Sequence, residues 1–160
     1  MKSETIFNFH STWRGRYGDE HGSLITVYSD FQNPGAWPFM VKRFDIDVDE
    51  DTYKEIKTEA VARRISKGAF EKIKGVIASN RSLRYDSDEI DVDVMDGSCD
   101  EFYFGCDEYS RTLGGLSVLS TGSYECENYP PEKRSIAAAI YETYEKIIKI
   151  IESEGIDLWA

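Results

Sequence analysis

Residues 5–17, TIFNFHSTWRGRY, and residues 23–31, SLITVYSDF, are rich in aromatic and β-branched side chains, and Gly18, Asp19, Glu20, His21 and Gly22 lie between them. Such side chains suit the pleated, half-buried surface of a strand, and a short polar segment with glycines lets the chain reverse. A β-hairpin with a polar tip is therefore predicted. The next stretch, Asn33-Pro34-Gly35-Ala36-Trp37-Pro38, holds two prolines and a glycine, which rules out a central strand and predicts a surface turn. Trp37 within it reads as a plug into the core, with an exposed binding anchor as the alternative.

Phe44, Ile46 and Val48 alternate with Asp45, Asp47 and Asp49. A period of two places the apolar set inward and the carboxylates outward, as in a half-buried strand. Thr52 and Glu55 stand at capping-box spacing after Glu50 and Asp51, so a helix is expected to begin near Thr52. Ile56, Ala60 and Ile65 would carry its apolar stripe, and Phe70, Ile73 and Ile77 resume the stripe after Gly68. Two helices, or one broken near Gly68, are expected, ending near Asn80.

Ile90, Val92 and Val94 repeat the acidic-outside strand, Asp96-Gly97 signals a turn, and Phe102, Phe104 and Cys106 alternate with polar neighbours. Gly114-Gly115 reads as another turn, with Leu116 to Tyr124 as a further strand. Pro130 and Pro131 suit a helix start, and Ile136, Ile140, Tyr144, Ile147, Ile148 and Ile151 follow at helical spacing up to Gly155. A left-handed cap at Gly155 would let Ile156 and Leu158 pack back. The order predicts an α+β fold: one domain over residues 1–160, mainly antiparallel sheet, with a central helix or helix pair and a long C-terminal helix on one face.

The 10 Tyr, 8 Phe and 3 Trp and an apolar share of 41% are a globular composition. The longest strongly apolar run, Ile147 to Ile151, is interrupted by Lys149 and is far shorter than the roughly 20 residues of a membrane crossing. The first fifteen residues lack the apolar core of a secretory signal, so a cytoplasmic protein is expected, without membrane attachment. Cys99, Cys106 and Cys126 cannot all pair within one chain, and free thiols are the expected state.

Several chemistries lack their residues. Asp45, Asp47 and Asp49 imitate the first half of an EF-hand loop, but Glu50 stands where the loop needs Gly, and Ile56 where a bidentate Glu belongs. Three cysteines with His10 and His21 match no standard zinc spacing. Phosphate-binding glycine loops and the serine-hydrolase elbow are missing, and neither a cofactor nor catalysis is expected. Trp13 lies among Arg14, Arg16 and Tyr17, a pattern that stacks bases or anchors a protein interface, yet a net charge of -11 opposes direct nucleic-acid binding.

Charge is segregated along the chain. Residues 85–110 hold ten Asp and Glu and no Lys or Arg, whereas residues 52–84 hold nine Lys and Arg against three Glu. Such crowding of carboxylates is relieved by the protein's own helix cations or by a partner of opposite charge. The second option makes Asp91, Asp93, Asp100, Glu101, Asp107 and Glu108, with Trp13 and Trp37 as aromatic anchors, the candidate partner-binding residues. The expected function is an acidic inhibitor or neutraliser of a basic protein or nucleoprotein, such as a nuclease or toxin. Toxin-immunity proteins and anti-CRISPR-like phage proteins act in this manner. The alternative is a small α+β enzyme or small-ligand module whose site is assembled from distant residues.

Overall fold

The structure, a computed structural model, describes residues 3–14, 20–79, 98–105, 110–118 and 131–159, with the backbone alone at 13, 14, 98, 99, 110–118 and 131–137. The elements are β1 (Glu4–Arg14), β2 (Glu20–Ser29), β3 (Phe39–Val48), β4 (Glu55–Arg64), α1 (Lys67–Ser79), β5 (Ser98–Gly105), β6 (Ser110–Val118) and α2 (Pro131–Ser153). Six strands form one sheet in the order β4-β3-β2-β1-β5-β6, and every neighbouring pair is antiparallel. The fold is α+β, with the two described helices on one face.

Alternation along the central strands sorts side chains between the faces. Phe7 and Phe9 of β1, Ile25 and Val27 of β2, Val41 of β3, and Phe102 and Phe104 of β5 point to the helices. They meet Phe70, Ile73 and Ile77 of α1 and Ile140, Ile147 and Ile151 of α2 in one core. A bulge between Thr5 and Phe7 sends two consecutive residues, Ile6 and Phe7, to the same side, and both are fully buried. The Tyr144 ring of α2 lies 4.6 Å from that of Phe9, extending the aromatic row Phe9–Phe102–Phe104.

Local chemistry fixes the helix ends. Ser66 caps α1 by accepting the Ala69 amide on its Oγ at 3.0 Å, while its own N–H donates to Glu154 Oε1 at 2.7 Å. Hydrogen bonding to Ser66 holds the Glu154 carboxyl below the usual carboxylate range. One serine thus ties the start of α1 to the end of α2. Gly155, at φ 79°, ends α2 in the left-handed region, and Ile156 and Leu158 pack into the core as the sequence predicts. Residues 33–38 form an exposed turn closed by the Ala36 amide on the Asn33 carbonyl at 3.1 Å, again as predicted.

Two expectations are corrected. The helix expected from Thr52 is strand β4, entered by a tight turn: the Tyr53 amide donates to the Asp49 carbonyl at 2.8 Å and the Asp49 amide to the Lys54 carbonyl at 3.0 Å. Thr58 and Val61 are β-branched, the helical stripe has few members, and pairing with β3 satisfies a full ladder of backbone groups, so the strand prevails. Gly114-Gly115 lies inside β6, where the ladder to β5 slips between Asp100 and Phe102, so the glycines mark a bulge within the strand.

Strand β3 keeps the expected alternation, with Ile46 buried and Asp45 and Asp47 exposed, but its buried side is not the one that α1 and α2 cover. Arg43 pairs with core residue Ile25, and Phe44 with Leu24, which puts Phe44, Ile46 and Val48 on the face away from the helices and Asp45 and Asp47 on the helix-bearing face. Ile46 is nevertheless only 1% exposed. Among the described residues, the curvature of the sheet contributes to this burial. Glu55 of β4 comes within 3.6 Å of His10 on β1, although three strand spacings in a flat sheet amount to roughly 14 Å. The face that neither α1 nor α2 covers is therefore concave, and the β3–β4 end folds over it. Gly22 sits directly opposite Ile46 in this bend, where a Cβ would stand 2.5 Å from the Ser11 carbonyl oxygen.

Candidate functional site

The β3–β4 hairpin end concentrates charge and exposed apolar surface. Asp45, Asp47, Asp49, Glu50 and Asp51 fall within seven residues, and no Lys or Arg lies between Phe44 and Tyr53. The side chains of Asp45 and Asp47 are 61% and 68% exposed even though they stand on the helix-bearing face of the sheet. Arg43 approaches Asp45 at 3.4 Å and His21 Nδ1 lies 2.8 Å from Asp47, so each carboxylate has a basic neighbour. The Asp51 amide donates to Asp49 Oδ1 at 2.9 Å, which fixes the tip backbone.

Large apolar side chains flank these charges. Tyr53 is 83% exposed at the tip and adopts φ 54°, a left-handed conformation that is unfavourable for a bulky residue and here projects the ring outward. Ile56, 56% exposed, pairs directly with Asp47 across the two strands, so their side chains share one face. An apolar anchor beside a carboxylate is the arrangement that protein interfaces use for tight, specific contacts.

Only part of the expected partner-binding set coincides with this surface. Asp91, Asp93, Asp107 and Glu108 lie outside the described residues. Trp13 is in β1, opposite His21 in the ladder, and its side chain lies outside what is described. Trp37, expected as a core plug, is 58% exposed, with the Arg64 guanidinium 3.9 Å from its ring centre. A rigid proline-flanked turn holds it away from the sheet, and the cation–π contact covers one ring face. Glu101 is on the concave face with its Oε2 3.6 Å from His10 Nδ1. The acidic strand expected over residues 90–94 and the thiols of all three cysteines also lie outside what is described.

Asp100 requires a correction, since it was expected on an exposed acidic face and is only 6% exposed. It pairs with Ser11 on the helix-bearing face of β1. Its Oδ1 accepts the Ser11 hydroxyl at 2.6 Å and its Oδ2 accepts the Tyr141 hydroxyl of α2 at 2.7 Å. Burial pushes its carboxyl above the usual carboxylate range, although both hydrogen bonds act the other way. The nearby Tyr144 hydroxyl is pushed up to about 12, first by burial and then by the charges of Asp100, Glu145 and Glu152. Asp100 therefore locks α2 to the sheet.

The sequence signal for the hairpin end was the acidic run 45–51 itself, obscured by reading Thr52 as a helix cap. Among the described residues no group of three His, Cys, Asp or Glu side chains is arranged to hold a metal ion, and no helix is long and apolar enough to cross a membrane. No protein-family model matches the chain, and no curated protein is significantly similar to it.

Proposed function

We propose that the protein is a cytoplasmic inhibitor that neutralises a basic protein or nucleoprotein, a nuclease or toxin, by presenting the β3–β4 hairpin end to it. The observation that carries this reading is the pairing of five clustered acids with exposed Tyr53 and Ile56 at one hairpin end. The carboxylates draw a basic target in at long range and raise the association rate. Tyr53 and Ile56, once desolvated in the target, slow dissociation. Immunity and anti-CRISPR-like proteins combine these two roles in the same way. A β-hairpin suits the task because its backbone is already fixed by the ladder and the tip hydrogen bonds, so little order is lost on binding.

The test is differential capture from an extract of the native host. Immobilised wild-type protein is expected to retain one basic protein that elutes as salt is raised, and a bait carrying Tyr53→Ala and Asp47→Lys is expected to lose it. Equal retention by both baits would remove the hairpin end from the interface. Retention of a neutral or acidic protein that salt does not release would refute the electrostatic reading.

A further inference from the structure

The concave face of the sheet contains a cavity of about 360 Å³, lined among others by Asn8 and His10 of β1, Leu24 of β2, Glu55 and Lys57 of β4, and Glu101 of β5. That volume is at the lower end of the range for small-molecule sites, roughly 300–1,000 Å³. The lining is formed by side chains from four strands, brought together by the curl of the sheet rather than by any local motif.

The charges in this cavity are unevenly matched. His10 Nε2 lies 3.6 Å from Glu55 Oε1, and His10 Nδ1 lies 3.6 Å from Glu101 Oε2. Two carboxylates thus share one imidazole, both at a separation too long for a hydrogen bond. Nε2 is itself buried without a hydrogen-bond partner. Lys57, although it stands on the same wall, forms no ion pair or hydrogen bond with any described residue, and neither does the Asn8 amide. The cavity therefore presents two solvent-accessible carboxylates with no Lys or Arg partner among the described residues, an exposed ammonium with no ion-pair partner among them, and an amide able both to donate and to accept.

We propose that this cavity binds a small zwitterion of the α-amino-acid class, its ammonium against Glu101 and Glu55 and its carboxylate against Lys57 and Asn8. Other ligand classes satisfy fewer of these groups. Phosphate or a dicarboxylate would face two like charges, a simple amine would leave Lys57 unpaired and add a like charge beside it, and an uncharged sugar would compensate none of the three ions. Leu24 on the floor accommodates a short apolar side chain. The site is separate from the partner-binding reading of the hairpin end and does not depend on it.

The experiment is an amide-resolved NMR titration of the full chain with glycine, L-alanine, L-glutamate and L-lysine in turn, with methylamine, acetate and inorganic phosphate as controls. At least one amino acid is expected to shift the amides of Asn8, His10, Lys57 and Glu101 and to saturate by about 10 mM, with methylamine and acetate about tenfold weaker or more. Lys57→Met and the near-isosteric Glu101→Gln are each expected to weaken that binding about tenfold or more, with spectra otherwise unchanged. Both positions are partly open to solvent, and the fold of each variant is read from the same spectra. Absence of saturable shifts with all four amino acids would overturn the proposal. So would equal binding of methylamine, or binding that neither variant weakens.

Discussion

The two faces of the sheet are built from the same strands yet follow different rules. Toward the helices, β1, β2 and β5 present Phe7, Phe9, Ile25, Val27, Phe102 and Phe104, and all join one apolar core. Toward the concave side the same strands present Asn8, His10, Leu24, Glu101 and Tyr103, a mixture of charge and amide around a cavity. Strand β3 reverses the pattern, with Phe44, Ile46 and Val48 on the concave side and Asp45 and Asp47 on the other. The contrast teaches that alternation in a strand shows that one side is buried. Which side is set by register with its neighbours, and Ile46 is buried on the side that neither α1 nor α2 covers.

The largest effects are expected where each face is fully closed. Ile147→Ala, on the helix side, removes methylenes from a fully buried site and should cost about 2–5 kcal/mol in denaturant unfolding. Ile46→Ala should fall in the same range of about 2–5 kcal/mol, because the residue is 1% exposed on the concave side. A cost well below about 1 kcal/mol at Ile46 would mean that the sheet is flatter than described.

A middle effect is expected at Asp100. Replacement by Ala leaves the Ser11 and Tyr141 hydroxyls without their acceptor and should cost about 1–3 kcal/mol. Asp100→Asn separates charge from hydrogen bonding. A carboxyl whose proton is held more tightly in the fold than in the unfolded chain stabilises the fold in acid, and that contribution is lost as pH rises through its folded value. Wild-type stability relative to Asp100→Asn should therefore be greatest in acid and decline toward neutral pH. A difference that is flat with pH, measured by unfolding at a series of pH values, would show that Asp100 does not titrate abnormally. The smallest effect belongs to Glu145→Ala, an exposed helical charge, at about 0.5 kcal/mol or less.

Legibility in the sequence follows the range of the interactions. The first hairpin, the Pro34–Pro38 turn, the helical repeat of α2 and the Gly155 cap are local, and periodicity and turn chemistry within a dozen residues identify them. Strand β4 was illegible because residues 55–64 satisfy a weak helical stripe and a strand equally, and only pairing with β3 decides between them. Burial of Asp100 depends on Ser11 and Tyr141, 89 and 41 residues away in sequence, and no pattern around Asp100 announces either partner. The concave cavity is equally remote from sequence, since His10 and Glu55 meet only through the curl. The acidic run 45–51 was visible throughout, and its exposure beside Tyr53 and Ile56 came from the hairpin.

The most direct test of the hairpin end as a partner-binding element is the association rate with the purified basic partner, measured across ionic strength for wild type and for Asp45→Lys with Asp51→Lys. Opposite charges steer encounter, so the wild-type rate should fall steeply as salt is added, while the variant should associate about tenfold slower or more at low salt with little further dependence. Wild-type and variant rates that coincide at every salt concentration would contradict a role for this surface.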